Sequence, residues 1–256
     1  MRDYLYACIA VADAEIRKLM RDPTELFSRA VQPVLWLAVF GQVFSQVRGI
    51  PTGNLSYLDY MAPGILAQSI LFSAIFYGIA IIWERDLGIV HKLLVTPAPR
   101  SALVLGKAMA AGLRGLVQAV VVYLVAVALK VHIRWEPGAM LVVALAVFLG
   151  SCAFSTFSLL IACIVKTRER FMGIGQVLTM PLFFASSAIY PLEIMPDWLK
   201  TLAAVNPLTY LVDALRGAMV VHGGSHYALG TSLGIILAVF VLLVFWAARL
   251  YPGLAR

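Results

Sequence analysis

Glu84-Arg-Asp-Leu-Gly-Ile-Val-His-Lys-Leu-Leu-Val-Thr-Pro97, running on through Ala98-Pro-Arg-Ser101 to Gly106-Lys107, carries Arg85, Lys92, Arg100 and Lys107 between two long apolar segments. It is too short to be a soluble domain, so its neighbours decide what it is. Before it, Tyr60 to Trp83 are twenty-four uncharged residues, interrupted only by weak polar groups such as Gln68 and Ser69. After it, a second such segment runs from about Leu103 to Leu129, with Lys107 near its start and Arg114 about a third of the way along. About 20 apolar residues in a helix cross a bilayer core. The stretch therefore joins two membrane spans, and the fold class is an all-α integral membrane protein.

The composition agrees. Of 256 residues 62% are apolar and only 13% charged, against roughly 25% charged in a soluble domain. The net charge of +7 sits mostly between apolar segments, where Lys and Arg set membrane orientation, so no nucleic-acid partner is expected. Cys8, Cys152 and Cys163 have no metal-ligand spacing and read as packing residues.

Working outward, the first thirty residues are too charged for a signal peptide, and 1–21 form a separate unit. At 100° per residue Leu5, Cys8, Ile9, Ala12, Ile16, Leu19 and Met20 share one arc opposite most of the charges. This predicts an interfacial helix, on the membrane surface or against a soluble partner. Asp22-Pro23-Thr24-Glu25 restarts a helix as N-cap, first-turn Pro and capping-box Glu. Six spans are expected, at about 30–47, 60–83, 103–129, 139–165, 171–190 and 229–250. Arg114 inside the third is costly unless solvated or paired; it either reaches back to the basic interface or lines a cavity. Ser151, Ser155, Thr156 and Ser158 suit the fourth to close helix contacts, and Pro181 breaks the fifth. Residues 191–220 read as a helical hairpin dipping into one leaflet: Pro196-Asp197 opens one short helix and Asn206-Pro207 a second. Asp213 and Arg216, three apart, are expected to form a local ion pair. Gly230-x-x-x-Gly234 opens the sixth span as a weak helix-contact motif.

Counted on alternate sides of six spans, fourteen Lys and Arg fall with both termini, 84–107 and 166–170, and five on the other side. The positive-inside rule puts the first group in the cytoplasm and the hairpin outside. Catalytic signals are weak. Gly106-Lys107 resembles the end of a phosphate-binding loop, but Ser101 stands at its first glycine and Ala108 at its Mg²⁺-binding hydroxyl. His222 and His226 flank Gly223-Gly224, poor ground for a helical metal site. No expected span contains Asp or Glu away from its ends, which speaks against an ion-coupled carrier.

Taken together, Gln32-Pro33 with Gly41, Glu84-Arg-Asp-Leu-Gly88 followed by Lys92-Leu-Leu-Val-Thr-Pro97, Gly106-Lys107, and Pro191 to Arg216 with Asn206-Pro207-Leu208 resemble the ABC-2 type permeases, the transmembrane subunits of ATP-binding-cassette exporters. The likeness is to their drug-resistance and nodulation-factor branch and covers nearly the whole chain. His91 departs from it, since relatives often carry Glu or another polar residue there. The resemblance implies a permease subunit, not an enzyme, with two permease subunits, here a homodimer, driven by two copies of a cytoplasmic ABC ATPase. ATP and Mg²⁺ would be held by that partner, with no cofactor in this chain. It also implies a plasma (inner) membrane location with both termini cytoplasmic, surrounding membrane lipid as a further partner, and a coupling segment over 84–101.

On that reading Glu84, Arg85, Asp86, Leu87, Gly88, Val90, His91, Lys92, Leu94 and Pro97 meet the ATPase, and Gly88→Pro with Leu94→Asp should uncouple a chain that still folds. Pro196, Trp198, Asn206, Pro207 and Arg216 form an external gate hairpin, and Trp36, Phe40, Phe72, Phe76, Arg114, Phe183 and Phe184 are candidate pathway contacts. The cargo expected is an amphipathic drug, glycolipid or polysaccharide. A stand-alone channel or carrier and a membrane lipid enzyme are the alternatives; the copurifying ATPase separates the first of these from an exporter.

Overall fold

Ser56 sets the start of the second apolar helix: its Oγ accepts the Asp59 N–H at 3.1 Å, satisfying one of the donors that a helix N-terminus leaves open. Similar devices recur along the chain. Pro137 occupies a first-turn position, Thr167 accepts from the Arg170 N–H, and Asn206 Oδ1 accepts the Leu208 N–H at 3.0 Å ahead of Pro207. The computed structural model describes residues 2–21, 31–45, 55–96, 98–165 and 167–255. Its helices are α1 (Arg2–Arg21), α2 (Val31–Ser45), α3 (Tyr57–Asp86), α4 (Ile89–Val95), α5 (Arg100–Ala128), α6 (Pro137–Ile164), α7 (Arg168–Phe184), α8 (Asp197–Val205), α9 (Pro207–Met219) and α10 (Leu229–Leu250). A 3₁₀ turn, Tyr251–Ala255, extends α10. Among the described residues the only β-type pairing is a single bridge, Ile133 to Val220.

Among the described residues four helices are long and apolar enough to cross a membrane: those over Tyr57–Asp86, Arg100–Ala128, Pro137–Ile164 and Leu229–Gly253. The stretches expected to be the first and fifth spans are shorter. Helix α2, with a π turn over Trp36–Gly41, extends about 22 Å at 1.5 Å per residue, and α7 has 17 residues. The expected fifth span reached Tyr190, but α7 stops at Phe184. Pro181 lies in its last turn, and Asn206 Nδ2 donates to the carbonyls of Leu182 (2.6 Å) and Ala185 (3.2 Å), satisfying that end from another element. The expected cap at Asp22–Glu25, the flanking Arg29 and Arg48, Pro97, Lys166 and Arg256 lie outside the described residues.

Packing gathers the connections at two ends. At one, the α5–α6 link bonds to the end of α9 through Arg134 N–H to Met219 O (2.8 Å) and Val221 N–H to His132 O (2.9 Å). Asp59 at the start of α3 accepts from the His132 N–H at 2.8 Å. At the other end Arg168 meets Asp86 at 2.8 Å, and a core of Tyr77, Ile81, Val90, Leu103, Phe171 and Tyr251 joins α3, α4, α5, α7 and the final turn. The basic segments that the charge count grouped together are thus neighbours in space. Helix α9 is buried through most of its length, whereas α8 exposes Trp198, Leu202 and Val205.

Candidate functional site

The stretch after α3 changes direction at Gly88, whose φ of +73° is left-handed, a conformation other residues adopt only at a cost. Helix α4 follows and stops at Thr96, whose Oγ1 donates back to the Leu93 carbonyl at 2.6 Å. Its two sides differ sharply. Val90 is fully buried, and Leu93, Leu94 and Ala98 pack on the same core. Leu87 and Val95 are 68% and 87% exposed, with Ile89, His91 and Lys92 also outward. Of the residues expected at the ATPase contact, Val90 and Leu94 therefore face the core while Leu87 faces outward, and Leu93 also turns inward. Because Leu94 packs on the chain itself and proline cannot adopt the φ of Gly88, the Gly88→Pro, Leu94→Asp pair would damage the fold. It does not isolate coupling.

Beneath this segment lies a buried ion network. Lys107 Nζ donates to Glu15 Oε1 at 2.7 Å and to Glu84 Oε2 at 2.6 Å. Lys18 reaches Glu84 at 2.7 Å, and Arg114 reaches Glu15 Oε2 at 3.1 Å and its backbone carbonyl at 3.3 Å. Glu15, Glu84, Lys107 and Arg114 are all buried. Tyr77 Oη donates to the Lys107 carbonyl at 2.9 Å, and the Arg114 guanidinium lies 5.4 Å from the Tyr77 ring centre. The network ties α1, α3 and α5 together. Glu84, expected at the ATPase contact, is instead spent inside the chain, while Asp86 is held by Arg85 and Arg168, both at 2.8 Å.

Arg114 pairs with Glu15 of α1, a partner that neither account of it had named. It also borders a small cavity of about 10 Å³ with Gln118, Ser151 and Ser155; Arg114 Nε, both Gln118 amide atoms and Ser151 Oγ make no hydrogen bond there. Glu15 and Lys107 were not among the expected site residues. The available signal was the i, i+4, i+7 stripe Cys8, Ala12, Glu15, which is the face of α1 that is buried. Leu5 and Ile9 of the expected apolar arc stay exposed. Gly106 explains the neighbouring Gly-Lys pair: a Cβ there would lie 2.7 Å from the Cys8 carbonyl oxygen and from Val11 Cβ, so α1 lies against bare backbone. Gly106→Val should cost about 1–3 kcal/mol as overpacking and lift α1. Maleimide labelling of Cys8, 4% exposed here, should then accelerate at least severalfold; an unchanged rate would refute the contact.

At the opposite end the hairpin is locked to the bundle. Pro196 caps α8, Asn206 caps α9, and Pro207 starts it. Asp213 and Arg216 do not form the expected ion pair. Asp213 accepts from the N–H groups of His226 (2.6 Å) and Tyr227 (3.0 Å) and, at 3.4 Å, from Ser232 Oγ. Arg216 donates to the Ser187 carbonyl and stacks 3.8 Å from the Tyr60 ring centre. Beside them opens a cavity of about 500 Å³ lined by Tyr60, Glu193, Arg216 and His226, among others.

The expected pathway aromatics fall largely on one strip. Trp36 stacks on Phe40 at 4.6 Å and meets Phe183 at 5.9 Å; Phe183 also meets Phe72 at 6.5 Å and Phe184 at 5.3 Å. Phe183 is buried, while Phe40, Phe184 and Phe76 are 44–48% exposed. Arg114 is engaged with α1 instead. Among the described residues no three metal-ligating side chains gather.

Comparison with known proteins places this geometry. The family model described as ABC-2 type transporter matches residues 6–220. A putative transport permease, ycf38, of Cyanophora paradoxa is 32% identical over 203 residues, 78% of this chain and 69% of that protein. A probable doxorubicin resistance ABC transporter permease protein, DrrC, of Mycobacterium tuberculosis (strain ATCC 25618 / H37Rv) is 24% identical over 231 residues, 89% of this chain and 78% of that protein. A probable multidrug ABC transporter permease, YbhR, of Escherichia coli (strain K12) is 26% identical over 172 residues, 66% of this chain and 46% of that protein.

Proposed function

The chain belongs to the ABC-2 type transporter family, and from that premise we propose that it is the permease half of an ATP-driven exporter whose energy enters through α4. As a transport permease it is not itself an enzyme; hydrolysis lies in a separate ATP-binding-cassette subunit, which also holds ATP and Mg²⁺. The finer reading has six spans in the inner membrane, with α2 and α7 completing the four long helices, both termini and α4 cytoplasmic, and a homodimer carrying two ATPases. The cargo is amphipathic or lipid-linked, a class suggested by relatives named for multidrug and doxorubicin resistance and by the aromatic strip from Trp36 to Phe184.

One observation carries this reading: the turn before α4 and α4 itself offer Leu87, Ile89 and Val95 outward while Val90 sits on the core that joins α3, α5 and the final turn. A short helix with an apolar outer face suits a groove on a partner. A push on it is passed inward by close packing, and the Glu84–Lys107 pair makes α3 and α5 share the load. Closure of the ATPase around ATP then biases the pathway by the difference in binding free energy between its two states. His91 and Lys92 supply the polar margin of the contact. Affinity purification of the tagged chain from native membranes tests the assignment. An ABC ATPase should come down in equal amount; recovery of the chain alone, able to pass solute without ATP, would establish a channel.

A further inference from the structure

The link from α4 to α5 faces α10 across an open groove of about 640 Å³. Its walls include Pro99 and Arg100 on one side and Val241, Val244, Phe245 and Arg249 on the other. Polarity is graded along α10. Val241, Val244 and Phe245 lie deeper, and Arg249 closes the last turn eight residues on, about 12 Å further along the axis. The Arg249 guanidinium sits 4.1 Å from the Phe245 ring centre, which holds the charge over the mouth. Arg100 opens α5 beside it, where Pro99 supplies no side-chain cap.

Arg85 and Arg168 share Asp86, and Arg114 has Glu15. Arg100 and Arg249, by contrast, pair with no carboxylate among the described residues, and no acidic residue lines the groove. Apolar depth beneath two free guanidiniums, at the end of a membrane-crossing helix, matches one chemistry: a phosphate ester carrying an acyl chain. We propose that the groove binds an anionic phospholipid, its headgroup between Arg100 and Arg249 and its chain along Val241 and Val244. Basic pockets between spanning helices at a membrane surface recognise such headgroups, each basic side chain contributing about fivefold to the affinity. Because Ala98 and Pro99 lie between α4 and α5 and line the groove, a lipid seated there ties the coupling segment to α10. The coupling consequence rests on the function proposed above; the binding does not.

Native mass spectrometry of the purified, delipidated full chain tests it. Titration with phosphatidylglycerol and with phosphatidylcholine of matched chains should show preferential retention of the anionic lipid. Arg100→Gln with Arg249→Gln should lower that retention at least tenfold, and Val241→Trp, which fills the apolar wall at an exposed position, should lower it with the charges intact. Inorganic phosphate in excess should not displace the lipid. Equal retention of both lipids, unchanged retention in the double arginine variant, or displacement by phosphate alone would each overturn the proposal. No ATPase enters the measurement, so it can fail while the copurification succeeds.

Discussion

Replacing Lys107 by methionine should lower the unfolding free energy by about 3 kcal/mol, at the lower end of the cost of breaking a buried ion pair. Lys107 bridges two buried carboxylates, Glu15 and Glu84. Methionine matches much of its length but leaves both acids short of a partner in a site with little water. Arg114 and Lys18 retain one contact each, which is why the expected cost is not larger. The double variant Lys107→Met, Glu84→Gln removes one stranded acid and keeps the buried Glu15–Arg114 pair, while Lys18 is left at an exposed position; it should recover more than half of the loss, since a buried pair is worth little more than a neutral replacement. Thermal unfolding midpoints of the purified chains in one detergent measure this. A single variant as stable as the parent, or a double variant no better than the single, would show that the network carries no such strain.

Leu87→Asp with Val95→Asp should cut ATPase affinity at least thirtyfold while leaving the unfolding midpoint within about a degree. Both side chains are largely exposed, so the fold loses no buried contact. In a docked interface, apolar anchors at its centre are worth 2 kcal/mol or more each, and a carboxylate in their place must be desolvated. Val90→Asp makes the contrasting case. Val90 is fully buried on the shared core, and a charge there should destabilise the chain before any question of docking arises. Equilibrium binding of the ATPase to the chain in nanodiscs, beside the thermal melts, separates the two. Undiminished binding by the Leu87, Val95 variant would remove α4 from the interface.

Helices held by local signals were legible in the sequence. Pro196-Asp197 and the Asn206-Pro207 pair mark starts that the structure keeps, and the long apolar runs become α3, α5, α6 and α10. What could not be read depends on partners remote in sequence. Arg114 is ninety-nine residues from Glu15, and no periodicity within α5 names that partner. Glu15 counted as one charge on the polar side of α1, although its spacing from Cys8 and Ala12 set it on the buried face. Asp213 and Arg216 have ideal helical spacing for a pair, yet backbone N–H groups of the 226–227 turn and the Ser187 carbonyl outcompete it. The seven residues of α4 make too few turns for periodicity to fix the inner face. Ile81, Leu103 and Tyr251, from other parts of the chain, decide that Val90 turns in.

Photo-crosslinking in intact cells tests this division most directly. A light-activated amino acid at position 95, on the exposed side of α4, should form a covalent adduct with the ABC ATPase that increases or decreases when nucleotide is trapped. The same group at position 90, on the buried side, should yield adducts only within the permease. Adducts to the ATPase from position 90, or none from position 95 with the complex intact, would contradict the assignment of α4 as the place where force enters.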